Sequence, residues 1–274
     1  MLKNIATLCI SVAVSLLLAE AAVRLVFDPV DYLAVTVESD PVLNHRIGDG
    51  VSGHDDWGYR NPDVPESVDI LAIGDSMTYG AMAKSHESWP AQLQQDTGKS
   101  VYNAALGGYG PMHYLHILKT RAPELSPKAV LVMLYLGNDI MDTYNLVYSN
   151  ENWADYRSED LTETLDADAF VVTPKATSFT KRVRNWLAGH SILYRLVTQN
   201  ALFDTARQRE LQDGNTDVIV YEHLGVPAIL DPAKRLSFTD VEDPRIKEGM
   251  RIIERALSEI AAYCAAEAGL KEPK

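Results

Sequence analysis

The sequence predicts an α/β fold built on a doubly wound parallel sheet. Apolar runs alternate with helical segments between residues 68 and 136, and three of these runs end abruptly in glycine and polar residues. Such runs are typical of parallel strands that are buried on both faces and joined by right-handed crossover helices. In sheets of this kind, ligands bind outside the carboxyl ends of the strands. We therefore expect the three polar turns to converge on one crevice.

The composition supports one main globular domain with appendages. The chain has 274 residues, of which 46% are hydrophobic and 23% charged, so it is long enough to bury a full core. Its formal net charge of -13 repels phosphate backbones, and no nucleic-acid partner is expected. Cys9 lies in the N-terminal apolar run and Cys264 in the last predicted helix, so no disulfide is predicted.

The first 27 residues indicate a secretory signal or a membrane anchor. Lys3 precedes an apolar segment at residues 5–27, which is just long enough to span a bilayer. Ala19-Glu20-Ala21 resembles a small-x-small cleavage site, so a cleaved signal peptide stays open beside an uncleaved anchor, which we favour slightly. A buried core helix is the third alternative. A signal or an anchor places the rest of the chain outside the cytoplasm, in the periplasm or cell envelope, and an anchor would hold it at the inner membrane.

Residues 28–66 are polar and rich in Asp, Pro and Gly. This composition predicts an irregular linker and lead-in segment that becomes ordered as it meets the main domain, residues 67–274. Trp57 and Tyr59 are expected to cover one edge of the sheet as aromatic anchors without a chemical role.

The first predicted strand carries the candidate nucleophile. An apolar run begins at Val68 and breaks into Gly74-Asp75-Ser76, so Ser76 is expected at the end of a buried strand. A helix then opens at Trp89-Pro90 and ends near Gly98, with proline at its start and glycine at its end.

Two further predicted strands end in the same way. A strand at residues 100–103 runs into a glycine-rich turn that ends at Gly110, where the backbone must approach another group closely. A helix is predicted at residues 112–120, and a strand at residues 129–136 ends in Gly137-Asn138-Asp139.

The regular pattern stops at residues 141–243, which predicts a cap insertion. Residues 150–169 are acidic and loop-like, and residues 178–210 have helical spacing. An insertion of this length at the active end of a sheet is typical of a lid or a substrate-binding cap, with a second small packing unit as the alternative.

Two short strands are expected late in the cap, at residues 217–220 and 226–230. A strongly amphipathic helix is predicted at residues 244–268.

The three turns together contain groups that acyl chemistry needs. A serine hydroxyl requires a base to take its proton and donors to stabilise the oxyanion of the tetrahedral intermediate. Ser76 offers its hydroxyl and its own N–H, Gly108 a backbone N–H and Asn138 a side-chain amide. Thr78 stands where an α/β-hydrolase elbow has glycine, and no Gly-Lys-Ser/Thr sequence follows the glycine turns, so a P-loop is not supported either.

In this order and context, the three motifs resemble the first three sequence blocks of the SGNH/GDSL hydrolase family. The blocks are Gly74-Asp75-Ser76, residues 103–110 and Gly137-Asn138-Asp139. The lead-in Gly58-Tyr59-Arg60-Asn61 and residues 190–195 also resemble bacterial envelope members of this family.

The resemblance implies a flavodoxin-like sheet and ester chemistry without a cofactor or a metal. Ser76 would be the nucleophile, Gly108 and Asn138 would form the oxyanion hole, and Asp75 and Asp139 would brace the turns. The implied partner is an O-acylated envelope glycan or a small ester, which would react through an acyl-enzyme at Ser76.

One block of that family is missing here. The family's general base lies in a C-terminal Asp-x-x-His motif, and none of the seven histidines has Asp three residues before it. The general base is therefore unknown, and this predicts a C-terminally incomplete fold and a poorly active chain. Replacement bases near the first two blocks are limited to four histidines: His54, His86, His113 and His116.

Three other functions stay open at this point. A membrane-anchored O-acetyltransferase of the same fold would use the same nucleophile and oxyanion hole, so the sequence does not separate it from a hydrolase. A non-catalytic glycan-binding envelope protein would explain the missing base. The third is a purely structural α/β domain.

Overall fold

The computed structural model describes residues 2–81, 83–159, 178–198, 218–221, 226–229 and 236–270. Its helices are α1 (Leu2–Arg24), α2 (Pro29–Tyr32), α3 (Ser76–Tyr79), α4 (Trp89–Thr97), α5 (Pro111–Leu125), α6 (Asp139–Ser149), α7 (Phe179–His190), α8 (residues 192–198) and α9 (Pro244–Leu270). Its strands are β1 (Val37–Asp40), β2 (Asn44–Ile47), β3 (Ile70–Ile73), β4 (Val101–Asn103), β5 (Ala129–Val132), β6 (Val218–Tyr221) and β7 (Val226–Ile229). Short 3-10 helices lie at Val51–Gly53, Ser85–Glu87, Glu151–Tyr156 and Ser237–Thr239.

The fold is α/β, and its central sheet is parallel, as predicted. Strand β3 lies between β4 and β5 and runs parallel to both. Every residue of β3 is buried, as a central parallel strand requires. Ala72 pairs with Asn103, and Ile73 pairs with Val132, so the carboxyl ends of the three strands lie at one edge of the sheet.

Strand β5 is shorter than the strand predicted at residues 129–136. It ends at Val132, and the chain turns at Tyr135, whose carbonyl accepts hydrogen bonds from the N–H groups of Asn138 and Asp139. This turn starts α6, so the apolar residues after Val132 belong to a loop. Leu136 is accordingly 42% exposed.

Helix α5 is longer than the helix predicted at residues 112–120. It continues through Pro123 to Leu125, and Ser126 closes it in the left-handed conformation with its N–H bonded to the Ala122 carbonyl. The proline removes one backbone donor. The fully buried side chain of Leu125 anchors the last turn and offsets that loss.

The lead-in segment, residues 28–66, is ordered where it meets the sheet, and it contains regular elements that the sequence analysis did not predict. Strands β1 and β2 form an antiparallel hairpin, and Leu43 and Ile47 contribute to the main core. The rings of Trp57 and Tyr59 lie 5.7 and 5.9 Å from the ring of Tyr102 in the edge strand β4. The prediction that both aromatic residues cover a sheet edge is therefore confirmed.

The start of the predicted cap also belongs to the core. Helix α6 packs against α9 and buries Ile140, Tyr144 and Val147, and Trp153 in the following 3-10 helix is buried too. The first part of the range 141–243, which the sequence analysis assigns to a cap, therefore packs in the core of the described structure. The reason is the apolar face of α6, which completes the contact surface of α9.

Later parts of the cap are described in pieces. Helices α7 and α8 confirm the helical spacing from residue 178. The two short strands expected at residues 217–220 and 226–230 are present as β6 and β7, and they pair antiparallel. The second half of the loop-like stretch 150–169, residues 160–169, and residues 199–210 lie outside the described residues. Helix α9 starts at Pro244, as predicted, and extends to Leu270.

Helix α1 fits a signal peptide or a membrane anchor. Residues 3–24 are long and apolar enough to cross a membrane, with a mean hydropathy of 2.1, and none of that stretch is buried. Leu8 and Leu17 are 64% and 70% exposed, so α1 is not a buried core helix in this structure.

Candidate active site

The corner after β3 presents Ser76 beside a buried carboxyl. A side chain on Gly74 would place its Cβ 2.0 Å from Thr78 Oγ1, so only glycine lets α3 fold back directly on the strand. Asp75 caps α3 by accepting a hydrogen bond from the Met77 N–H at 2.8 Å. The half-buried Ser76 donates its hydroxyl to Asp75 Oδ2 at 3.3 Å.

The glycine turn after β4 lies next to Ser76. A Cβ placed on Gly107 would lie 3.5 Å from the Cβ of Ser76, which is ordinary van der Waals contact. Gly108 has a φ of 80°, a conformation that favours glycine. The glycine turn after β4 is therefore close to Ser76.

His45 holds the orientation of this turn, and the sequence analysis missed it. Its Nε2 lies 2.9 Å from the Gly107 carbonyl, which can only accept, so Nε2 carries the proton. The Gly107 carbonyl and the Gly108 N–H belong to one trans peptide and point in opposite directions. The Gly108 N–H is therefore directed away from the His45 ring.

Aromatic neighbours fix the His45 ring in place. Tyr109 lies 5.2 Å from it and stacks on His113 at 4.5 Å, and the Tyr109 hydroxyl donates to the His45 carbonyl at 3.0 Å. Burial lowers the pKa of His45 and lowers that of His113 to about 3, so both rings are neutral at pH 7.

Asn138 stands at the third turn, as the N-terminal cap of α6. Its Nδ2 donates to Asp142 Oδ2 at 2.6 Å, and its side chain also interacts with the carboxyl of Asp75. An amide nitrogen carries two protons. The structure thus links the third turn to the first through Asp75.

Asp139 is a fully buried carboxyl next to this link. Its Oδ2 accepts from the Tyr135 N–H at 2.8 Å and from the Tyr114 hydroxyl at 3.1 Å, while its Oδ1 has no partner among the described residues. Burial, together with the negative charge of Asp75, raises the pKa of Asp139 to about 8. Burial also raises the pKa of Asp75. Asp139 is therefore protonated at neutral pH and braces the turn without a charge.

Arg60 of the lead-in segment binds the carbonyls at the end of α3, the short helix that begins at Ser76. Its guanidinium donates to the carbonyls of Tyr79, Gly80 and Ala83 at 3.1, 2.5 and 3.0 Å. The same group forms a 2.6 Å ion pair with Asp31, and both side chains are only 6% exposed. Planar, multiple donation of this kind is what arginine provides and lysine does not.

Asn61 and Asn103 tie the lead-in segment to the sheet and to α3. The Asn61 side chain exchanges two hydrogen bonds with the backbone of Asn103, at 3.0 and 3.1 Å. The Asn103 side chain then donates to the Thr78 carbonyl at 3.0 Å. The segment Gly58-Tyr59-Arg60-Asn61 therefore positions the turn that carries Ser76.

The histidines considered as replacement bases have other partners or positions. Both ring nitrogens of His54 are bonded, to the Val51 carbonyl at 3.0 Å and the Tyr79 hydroxyl at 2.8 Å. His113 accepts from the Gly110 N–H at 3.0 Å. His116 lies edge-on to Trp153, and His86 is exposed in a 3-10 helix. These contacts and positions do not place any of the four rings as a base for Ser76.

Within the described ranges, no group of three or more His, Cys, Asp or Glu side chains is placed to hold a metal ion. Comparisons of the chain with protein-family models, with curated proteins and with solved structures find no match. Function is therefore argued from the geometry of this site.

Proposed function

We propose that the protein is a serine-dependent ester hydrolase of the SGNH/GDSL type. The observation that carries this proposal is the closeness of the Gly107 backbone to Ser76, since a Cβ on Gly107 would lie 3.5 Å from the Ser76 Cβ, with the Gly108 N–H turned away from His45. In the proposal this N–H, the Ser76 N–H and the second amide proton of Asn138 stabilise the oxyanion. Asp75 and Asp139 support the turns.

The order of the sheet supports the same assignment. Taken in chain order, the three parallel strands lie second, first, third across the sheet. Flavodoxin-like sheets begin with this order and bind ligands at the point where it reverses. Ser76 follows the first of these strands, which is the central one.

The proposed reaction begins when Ser76 Oγ attacks the ester carbonyl carbon and its proton passes to a base. The carbon–oxygen bond to the alcohol breaks, and the alcohol leaves with a proton. Water then attacks the acyl group, which releases the acid and restores the Ser76 hydroxyl. We assign no histidine as the base, and we therefore propose that turnover by this chain is slow. The proposed substrates are O-acyl esters of envelope glycans and small esters.

We also propose that α1 stays attached as an anchor that holds the domain outside the cytoplasm. Glu20, inside the small-x-small sequence, accepts hydrogen bonds from Ser191 Oγ at 2.8 Å and from the N–H groups of Ile192 and Leu193 at 3.0 and 3.1 Å. Cleavage after Ala21 would remove this cap from the start of α8. The contact therefore favours retention over cleavage.

The test is hydrolysis of p-nitrophenyl acetate by the full chain, by Ser76→Ala and by Ser258→Ala, which alters an exposed serine of α9. We expect slow hydrolysis that depends on Ser76 and that added imidazole raises, because imidazole supplies a base. In Ser76→Ala, imidazole should add only its own background reaction. Equal rates in the wild type and Ser76→Ala contradict the proposal. Turnover of about 1 s⁻¹ or more without imidazole, if it depends on Ser76, would support Ser76 as the nucleophile and contradict the proposal that this chain lacks a base.

An O-acetyltransferase would use the same site and is the second candidate. Measuring acetyl release from an acetylated glycan with and without a sugar acceptor separates the two activities. A hydrolase releases free acetate equally in both conditions, whereas a transferase moves the acetyl group mainly to the acceptor sugar.

A further inference from the structure

Helix α7 carries an apolar stripe that the described fold leaves exposed. Phe179, Val183 and Trp186 are 72%, 39% and 60% exposed. They are spaced by four and three residues, so they lie on one side of the helix. The Trp186 ring also stacks on His190 at 4.7 Å, which extends the stripe to the end of α7. Large aromatic side chains at this exposure indicate a surface that meets an apolar phase.

Cations lie around the rest of this helix: Arg182 beside the stripe, and Lys181 and Arg184 on the other side. Lys181, Arg182 and Arg184 are exposed, and in the part of the chain that the structure describes they form no ion pair. Lys181 and Arg184 also line a groove of about 530 Å³ between α7 and α8, together with Arg195. The whole chain has a net charge of -13, so this cluster runs against the overall charge.

The position of α7 relative to α1 decides what the stripe meets. Arg24, the last residue of α1, donates to the His190 carbonyl at 2.7 Å and pairs with Glu20 at 2.8 Å. Glu20 in turn caps α8. The end of α7 is therefore attached to the polar end of the helix that can span a membrane, where a bilayer has its headgroup region.

We propose that helix α7 lies in the headgroup region of an anionic phospholipid bilayer, with Phe179, Val183 and Trp186 at the acyl boundary and the cations Lys181, Arg182 and Arg184 around the rest of the helix. Aromatic and apolar side chains inserted at the acyl boundary, with basic side chains beside them, are the pattern of interfacial helices. The cations complement phospholipid phosphates. This placement is independent of the chemistry at Ser76, and it gives the domain a second membrane contact beside α1.

The test places a nitroxide label at Val183→Cys in the full chain, with Cys9→Ser and Cys264→Ser. The protein is reconstituted in vesicles of phosphatidylcholine and phosphatidylglycerol. We expect collisions of the label with oxygen to exceed those with a water-soluble nickel chelate. A label at Lys99→Cys, an exposed position after α4, should show the opposite ratio. Equal nickel access at both labels would overturn the proposal. Spin–spin broadening of the Val183 label, with no increase in its collisions with oxygen, would also overturn the proposal. A second copy of the chain would then cover the apolar stripe.

A charge-reversal pair tests the anionic requirement. Lys181→Glu with Arg184→Glu should lower the membrane-inserted fraction of the Val183 label at least about fivefold in these vesicles. Lys84→Glu with Lys99→Glu makes the same change in net charge on exposed residues elsewhere and should leave that fraction unchanged. Circular dichroism confirms that each variant is folded. Equal insertion in both pairs, or in pure phosphatidylcholine, would refute the role of anionic lipid.

Discussion

Two buried aspartates on opposite sides of the sheet differ in the number of hydrogen bonds that their carboxyl groups accept. On the β4 side, Asp55 accepts four hydrogen bonds, from the N–H groups of Trp57 and Tyr59, the Asn61 amide and the Tyr102 hydroxyl. On the β5 side, Asp139 accepts two, both on one oxygen. The pKa of Asp139 is raised to about 8 by burial.

The contrast concerns the two carboxyl groups. Both oxygens of Asp55 are bonded, although Arg60 Nε and Asn103 Oδ1 near it are buried without partners among the described residues. At the start of α6, Asp139 Oδ1 has no partner among the described residues, and neither have Asn138 Oδ1 and Thr143 Oγ1. Unsatisfied buried groups and shifted pKa values concentrate where proteins do chemistry. The predictions below test each half of this comparison.

The largest expected effect is on the scaffold. Arg60→Ala leaves Asp31 buried without its partner and frees three carbonyls at the nucleophile turn. We expect the free energy of unfolding, measured in urea, to fall by about 3–5 kcal/mol. Arg46→Ala is the matched control, because Arg46 pairs with Glu38 and Asp49 at the surface. It should cost less than about 1 kcal/mol. Similar losses in the two variants would contradict the scaffold role of Arg60.

The next effect is on the pH dependence of stability. The folded-state pKa of Asp139, about 8, lies above its ordinary value of 3.8, so its contribution to stability is full below about pH 4. That contribution is lost as the pH rises from 4 through 8, by a few kcal/mol in all. Asp139→Asn should flatten the stability profile over this range.

Asp69→Asn is the control for that profile, with the opposite sign. Hydrogen bonds from Lys128 and Ser100 lower the pKa of Asp69 to about 2. Its contribution is therefore present above about pH 4 and lost as the pH falls towards 2. Asp69→Asn should change the profile only on that acid side. An unchanged slope between pH 4 and 8 in Asp139→Asn would refute the raised pKa.

The smallest expected effect is on the glycine turn. His45→Phe keeps a ring beside Tyr109 but removes the donor to the Gly107 carbonyl. We expect the rate of acylation at Ser76 to fall about tenfold, or about 1.4 kcal/mol. His45→Gln, which retains an N–H donor, should recover part of the rate. An unchanged rate in a folded His45→Phe protein would show that the turn does not need this bond.

The sequence was informative where structure is local. The apolar run 70–73 followed by Gly-Asp-Ser predicts both the buried strand and the corner, because a fully buried strand needs little context. The amphipathic spacing of α9 is equally local. The hairpin of β1 and β2 has weak strand periodicity, and the Asp40-Pro41 turn between the strands was its only clear signal.

The site was harder to predict because its contacts join distant residues. His45 meets Gly107 across 62 positions, and Asn61 meets Asn103 across 42. No local pattern marks either pair. The first two turns were predictable as strand ends, whereas the third lies beyond the end of β5 at Val132. The residues that orient the glycine turn depend on how the lead-in segment folds over β4.

The central claim is that Ser76 is the nucleophile, and covalent labelling tests it most directly. The full chain, Ser76→Ala and Ser258→Ala are treated with a fluorophosphonate, and the modified residue is located by mass spectrometry of peptides. We predict modification at Ser76, accelerated by imidazole, in the wild type and in Ser258→Ala, and its loss in Ser76→Ala. Modification at other serines alone, or equal labelling of Ser76→Ala, would contradict the claim.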